Sequence, residues 1–321
     1  MRFFPSGPGL RFCLALAALI FLASCGHKTP LSLEVYAVPG PPEKLAAIQR
    51  ENIMTLSWSY RESETVKGFI IEMKYRSAAA PGGKLPPGKS PAAGFRKIAL
   101  VTGDSYSGTV VFGNTYTYRV RAESTTGELG TPAVIQVQAV APPPPPEGLQ
   151  FSIGNSSITL KWEPEGSWDG RPVFYNVYGK APAAKGFSLL NTAPLKENAF
   201  SFAPEPDRDM IYQVRALLGG PFLYEGKAAS ITVRPQDFIP SRPEKPDALA
   251  IPGGIRLIWP SNPETWVTGY RVYRVAGGAP RLIGFTAVPT YFDEGSSSGT
   301  YRISAVGSVA QGPLSSPVSV P

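Results

Sequence analysis

Few residues of this 321-residue chain have the type and spacing to do chemistry. Cys25 closes the run Leu22-Ala23-Ser24-Cys25, directly after the apolar stretch Phe12 to Leu22, and the chemistry this position invites is covalent modification of its thiol. His27 is the sole histidine and lies beside it on a polar segment, which excludes a Ser-His-Asp or Cys-His centre and a histidine-based metal site. Acids pair at Glu62 with Glu64, Asp207 with Asp209 and Asp293 with Glu294, the equipment that glycoside hydrolysis uses. All three pairs fall in predicted loops, where no deep cleft is expected. Gly82-Gly83 and Gly277-Gly278 lack the following helix that a phosphate site needs and read as turns. The expectation is therefore no catalytic residue, no metal and no cofactor.

The elements around Cys25 give it a role. Arg2 and Arg11 precede or flank an apolar segment, Cys13 to Phe21, that is too short to span a bilayer, so residues 1–24 are expected to be a cleaved signal peptide. Leu22-Ala23-Ser24-Cys25 resembles the bacterial lipobox, where small residues let a lipoprotein signal peptidase reach the bond before the cysteine. That resemblance implies that Cys25 becomes the acylated first residue and ties the chain to a membrane. Residues 25–40 are polar and proline-containing, as a tether should be. Cys25-Gly26-His27-Lys28-Thr29-Pro30-Leu31 is similar to the start of a family of very short Gram-negative lipoproteins reading Cys-Gly-x-Lys-Gly-Pro-Leu, with Thr29 departing from its glycine. The similarity implies a Gram-negative envelope; the expected location is an outer-membrane lipoprotein facing the periplasm, with the exterior as the alternative. Gly26, rather than Asp, accords with that sorting.

With Cys13 removed and Cys25 acylated, no thiol remains to form a disulfide, and packing must supply stability. The net charge of +7 falls by two when Arg2 and Arg11 leave, and both signs are scattered. No basic stripe marks a nucleic-acid partner.

Beyond the tether the chain repeats at intervals of about 100 residues. Proline-rich entries occur at Pro41-Pro42, at Pro142 to Pro146 and at Pro243-Glu244-Lys245-Pro246. Each is followed by the same strand patterns in the same order. Leu56-Ser57-Trp58, Leu160-Lys161-Trp162 and Leu257-Ile258-Trp259 place an apolar residue and a tryptophan on one face. Gly68-Phe69-Ile70-Ile71, Phe174-Tyr175-Asn176-Val177-Tyr178 and Gly269-Tyr270-Arg271-Val272-Tyr273 come next. Tyr118-Arg119-Val120-Arg121-Ala122, Tyr212-Gln213-Val214-Arg215-Ala216 and Tyr301-Arg302-Ile303-Ser304-Ala305 follow, alternating as two-sheet sandwiches require.

These residues resemble fibronectin type III domains, whose B strand carries an inward Trp, whose C strand reads Tyr-x-Val-Tyr and whose F strand reads Tyr-x-Val-x-Ala. The resemblance covers residues 41–321 and implies an all-β chain of three tandem immunoglobulin-like β-sandwiches without disulfides. The expected units are 41–141, 142–238 and 239–321, after the signal peptide 1–24 and the tether 25–40. Two departures stand out. The family's corner tyrosine is present as Tyr116, but Met210 and Gly299 stand at that position in the other units, so the corner hydrogen bond should be missing there. The first unit also inserts Ser77 to Gly94 between its C and C′ strands.

Five tryptophans divide by position. Trp58, Trp162 and Trp259 alternate with core residues and belong inside. Trp168 and Trp266 fall between the B and C strands and are the candidate binding residues, as aromatic anchors at loop positions. The functional expectation is a non-enzymatic, lipid-anchored envelope protein, a spacer and module binding an envelope protein or a cell-wall polysaccharide, and no nucleic acid. Two rivals are an accessory subunit of an envelope assembly or secretion machine and a partner of a separate polysaccharide-degrading enzyme.

Overall fold

A computed structural model describes residues 38–61, 66–77 and 94–321. Cys25, His27, the Glu62 and Glu64 pair and residues 78–93 of the insertion lie outside the described residues. None of the described residues forms a helix long and apolar enough to cross a membrane.

The described chain is all β, and strict alternation decides which side of each strand is buried. In Thr115–Ser124, Tyr116, Tyr118, Val120 and Ala122 point inward while Thr117, Arg119 and Arg121 point outward. The first sandwich opposes β1 (Glu43–Arg50), β2 (Ile53–Ser59) and β5 (Ser105–Thr109) to β3 (Val66–Arg76), β4 (Arg96–Val101), β6 (Thr115–Ser124) and β7 (Ala133–Gln138). The second opposes β8 (Gln150–Ile153), β9 (Ile158–Lys161) and β13 (Ala199–Phe202) to β11 (Arg171–Lys180), β12 (Ser188–Leu189), β14 (Met210–Leu218) and β15 (Leu223–Val233). The short β10 (Ser167–Trp168) forms a hairpin with the start of β11. The third opposes β16 (Asp247–Ile251), β17 (Gly254–Ile258) and β20 (Thr290–Glu294) to β18 (Gly269–Ala276), β19 (Ala279–Thr286), β21 (Gly299–Val306) and β22 (Val318–Val320). Three strands on four, with the order C′-C-F-G in the larger sheet, is the immunoglobulin-like sandwich in each case.

The three cores are built alike. Trp58, Trp162 and Trp259 are buried and meet an aromatic ring on the next long strand edge-on: Phe69 at 5.3 Å, Tyr175 at 5.2 Å and Tyr270 at 5.2 Å. That geometry suits the ring quadrupoles. No indole N–H of the three has a hydrogen-bond partner.

The corner hydrogen bonds are divided between strands. Tyr116 accepts the Val111 N–H at 2.8 Å, as expected for the first unit. In the other two the hydroxyl that ties a loop belongs to the C-strand tyrosine: Tyr175 accepts from Glu165 N–H at 2.6 Å and Tyr270 from Asn262 N–H at 2.9 Å. Phe69, with no hydroxyl, holds that place in the first sandwich, where Tyr116 anchors the loop amide instead.

Two tight hairpins follow their residue types. Asp169-Gly170 and Gly277-Gly278 all have positive φ, as a two-residue turn of the primed kind demands.

Candidate interface sites at the junctions

The residues expected to meet a partner sit at the poles of the sandwiches, and in a tandem chain one pole faces the preceding unit. At the first junction the tip of the β1-β2 hairpin reaches the second sandwich. Ile48, Gln49 and Arg50 pair in parallel with Leu223, Tyr224 and Glu225, so β1 and β15 fuse two sheets into one. The Glu51 N–H continues the pairing, donating to the Glu225 carbonyl at 2.7 Å. The buried Gln49 amide clamps the linker: its Nε2 donates to the Val140 carbonyl at 2.6 Å and its Oε1 accepts the Val140 N–H at 3.1 Å.

A charged cluster lies under this pairing. The buried Glu225 carboxylate meets the Arg50 guanidinium at 2.8 Å and accepts from Asn176 Nδ2 at 2.6 Å and from the Tyr178 hydroxyl. Burial works against the Arg50 charge, yet Glu225 and Tyr178 outweigh it and hold the guanidinium pKa above its ordinary value. Burial, then Glu225 as neighbour, pushes Tyr178 up to about 12. Phe222 packs against both the first and second cores, joining them with apolar surface.

The second junction uses different residues for the same purpose. The tip of the β8-β9 hairpin, Gly154 and Asn155, meets the loop before β18: Thr265 N–H donates to the Asn155 carbonyl at 2.8 Å and Trp266 Nε1 leans on the Gly154 carbonyl at 3.4 Å. Phe238, from the linker, meets Trp266 edge-on at 5.5 Å. Nearby, Glu264 accepts the Ser241 N–H at 2.8 Å and an Asn262 Nδ2–H at 3.2 Å. Burial would raise the Glu264 pKa, but these hydrogen bonds outweigh it and hold the carboxyl below its ordinary value.

Trp168 and Trp266 do lie between B and C strands, at the same pole. The expectation of exposed anchors is corrected at Trp266, which is only 7% exposed and packs into the second core. The reason is the tandem arrangement: this pole abuts the preceding sandwich, so the ring fills a junction. Trp168 is half-buried, packs against its own core, and its indole N–H donates to the Ala141 carbonyl of the preceding linker at 3.2 Å. Cys25, the expected lipidation residue, lies outside the described residues.

The two acidic pairs among the described residues do not form sites, and Asp293 and Glu294 lie on a strand instead of the expected loop. Asp293 and Glu294 are neighbours on β20 and so project to opposite faces. Asp293 accepts the Tyr301 hydroxyl at 2.6 Å and stands 3.8 Å from Arg274. Asp207 and Asp209 are exposed on the turn before β14. Among the described residues no group of three His, Cys, Asp or Glu gathers.

One repeat was missed in the sequence. A Cβ on Gly130, Gly226 or Gly312 would collide with the carbonyl oxygen of Pro39, Pro143 or Pro240 respectively. Each unit thus passes a proline that stands ahead of its first strand against a glycine that precedes its last strand or, at Gly226, lies near its start. The available signal was a glycine in each unit following the Tyr-x-Val-x-Ala strand by a similar interval.

No family model matches the chain, and no curated protein matches it. Among solved structures, the chicken CNTN1 FN1-FN3 domains align at 17% identity over 88% of this chain and 98% of that one, with a TM-score of 0.27. That likeness carries no argument of its own; strand order and register establish the sandwiches.

Proposed function

We propose that the chain is a non-enzymatic, lipid-anchored envelope protein that acts as a spacer and as a module binding an envelope protein or a cell-wall polysaccharide, with Cys25 as the acylated residue. The observation that supports it is the construction of the two junctions. Each is bridged by main-chain hydrogen bonds between successive sandwiches, at Glu51 to Glu225 and Thr265 to Asn155, and each is packed by a buried or half-buried aromatic ring. A spacer needs that property, because linkers without such contacts leave domains free to move relative to one another. The lipobox supplies one fixed end, and a two- or three-chain lipid would hold it far more firmly than the single chain that binds only marginally.

The test has two arms on the full chain. Cys25→Ser should move the protein from the detergent phase to the soluble or uncleaved fraction; if it stays in the detergent phase as fully as the parent, the anchor is elsewhere. Spin labels on the first and second, or second and third, sandwiches should give narrow distance distributions. Broad ones would show that the junctions do not space anything.

A further inference from the structure

The outer face of the β4-β3-β6-β7 sheet carries cations without carboxylate partners among the described residues. Strand register sets Lys97, Glu72, Arg119 and Val134 in one row, Lys74, Thr117 and Gln136 in the next, and Arg76, Thr115 and Gln138 in a third. The alternate residues of β6 fill the core, so this row pattern faces outward. Both acids of the face are paired, Glu72 with Arg121 at 3.2 Å and Glu123 with Lys67 at 3.5 Å. Lys74, Arg76, Lys97 and Arg119 have no carboxylate partner among the described residues. Arg119 and Lys74 instead share one ring: the guanidinium lies 3.6 Å and the ammonium 4.9 Å from the Phe95 centroid. Arg119 Nε is out of solvent with no acceptor. The same face of the second sandwich carries Asn176, Tyr178 and Gln213, and its Arg215 is tied to the Gly226 carbonyl at 2.7 Å. Lys180 of the second sandwich stands on this face 5.0 Å from the Phe187 ring, and the third carries Arg271 and Arg302 there, so outward cations recur along the chain.

We infer that this face binds a carboxylate-bearing polysaccharide. The inference rests on the non-catalytic binding role proposed above and names its ligand. Lys74 and Arg76 follow one another about 7 Å apart along β3, and Lys97 and Arg119 flank that strand about 10 Å apart across it, so the cations spread over a flat face. A linear polymer with recurring anions complements it; a single enclosed phosphate would need convergent donors in a concave site. Thr115, Thr117 and Gln136 line a shallow groove of about 270 Å³ beside Lys74 and Arg76, offering hydroxyl and amide partners to a hydroxyl-rich chain. Single-stranded nucleic acid would call for free aromatic platforms on which bases stack. Phe95 already carries two cations, and Tyr75, which also lines the groove, is half-buried and packs on Tyr116 at 5.9 Å.

The test is titration of the full-chain protein in detergent with polygalacturonate, with neutral dextran, duplex DNA and phosphatidylglycerol vesicles alongside. Polygalacturonate should bind, more weakly as salt rises, and the double variant Lys74→Gln/Arg119→Gln should lose about tenfold in affinity. Lys74→Gln/Lys97→Gln, which changes only exposed side chains, should lose affinity without a change in melting temperature, and Lys227→Gln on the second sandwich should lose none. Failure of the parent to bind polygalacturonate, or binding by either double variant as tight as the parent's, overturns the inference. So does tighter binding of DNA or of the vesicles, or equal binding of dextran. Anchoring by Cys25 and the distances between sandwiches are measured separately, so either reading can fail while the other stands.

Discussion

Arg50 and Glu225 belong to different sandwiches, yet their side chains stand 2.8 Å apart with the carboxylate almost fully buried and the guanidinium half exposed. The backbones bearing them are paired in parallel, so the ion pair and the strand pairing form one unit. A buried pair of this kind is weak evidence of net stability but a strong constraint on geometry, since removing one partner strands the others. Glu225→Ala leaves Arg50, Asn176 Nδ2 and the Tyr178 hydroxyl without their shared acceptor. It should cost about 1 to 3 kcal/mol, the range for orphaning buried polar groups, reduced because Arg50 reaches water. Urea unfolding of the full chain measures it, and spin-label distances across the first junction should broaden together with the loss.

Trp266→Ser should destabilise the second and third sandwiches together. The ring packs into the second core while its backbone belongs to the third, and truncating a buried tryptophan costs about 3 to 5 kcal/mol. Trp168→Ser should cost less, because that ring is half-buried and contributes a linker hydrogen bond. Equal and small shifts in melting temperature for both would show that Trp266 is not packed as described.

The strands of the repeat were legible because burial on one face writes period-two alternation into the B, C and F strands, and Leu56, Trp58, Tyr118 and Val120 stand where that alternation puts them. The junctions were not. Phe238 and Trp266 lie in segments with no period, and nothing local to Ile48 through Arg50 announces a partner strand some 175 residues away. The loop position of Trp168 and Trp266 was legible as well, but what faces that pole is a property of the tandem order. A single unit's pattern does not carry it.

Gly226→Ala and Gly312→Ala should each destabilise their own sandwich by about 1 to 3 kcal/mol, the usual cost of forcing extra volume into a packed site. The obstruction is backbone, the Pro143 or Pro240 carbonyl, which cannot rotate away as a side chain would. Gly166→Ala, with open space around it, is the matched control and should be near neutral. Calorimetry of the three variants decides it; indistinguishable unfolding temperatures would mean Pro143 and Pro240 do not lie against these glycines.

Tyr175→Phe and Tyr270→Phe should each cost about 1 kcal/mol by removing the hydroxyl that accepts a loop N–H, the net value of an ordinary hydrogen bond. Phe69→Tyr should bring no matching gain, because the first sandwich already anchors a loop amide through Tyr116. Chemical unfolding distinguishes the cases, and a stabilised Phe69→Tyr protein would contradict the division of labour between the two strands.

Acid should loosen the second junction first at Glu264. Its carboxylate holds Ser241 N–H from the linker and Asn262 Nδ2–H from its own loop, and those bonds keep its pKa below the ordinary glutamate value of 4.5. A depressed pKa means that the unfolded chain takes up the proton before the folded one does. The carboxylate's contribution is therefore fully present above about pH 4.5 and fades as pH falls through the lower folded value. Trp266, two residues away and packed on Phe238, is a natural reporter of the junction. Its environment should change on acidification in the parent and stay flat in Glu264→Gln, which has no proton to gain. The variant should resemble the acid form of the parent at neutral pH, since an amide offers one acceptor oxygen where the carboxylate uses two. If parent and Glu264→Gln follow the same course below pH 4.5, another carboxyl controls the junction and Glu264 is only its neighbour.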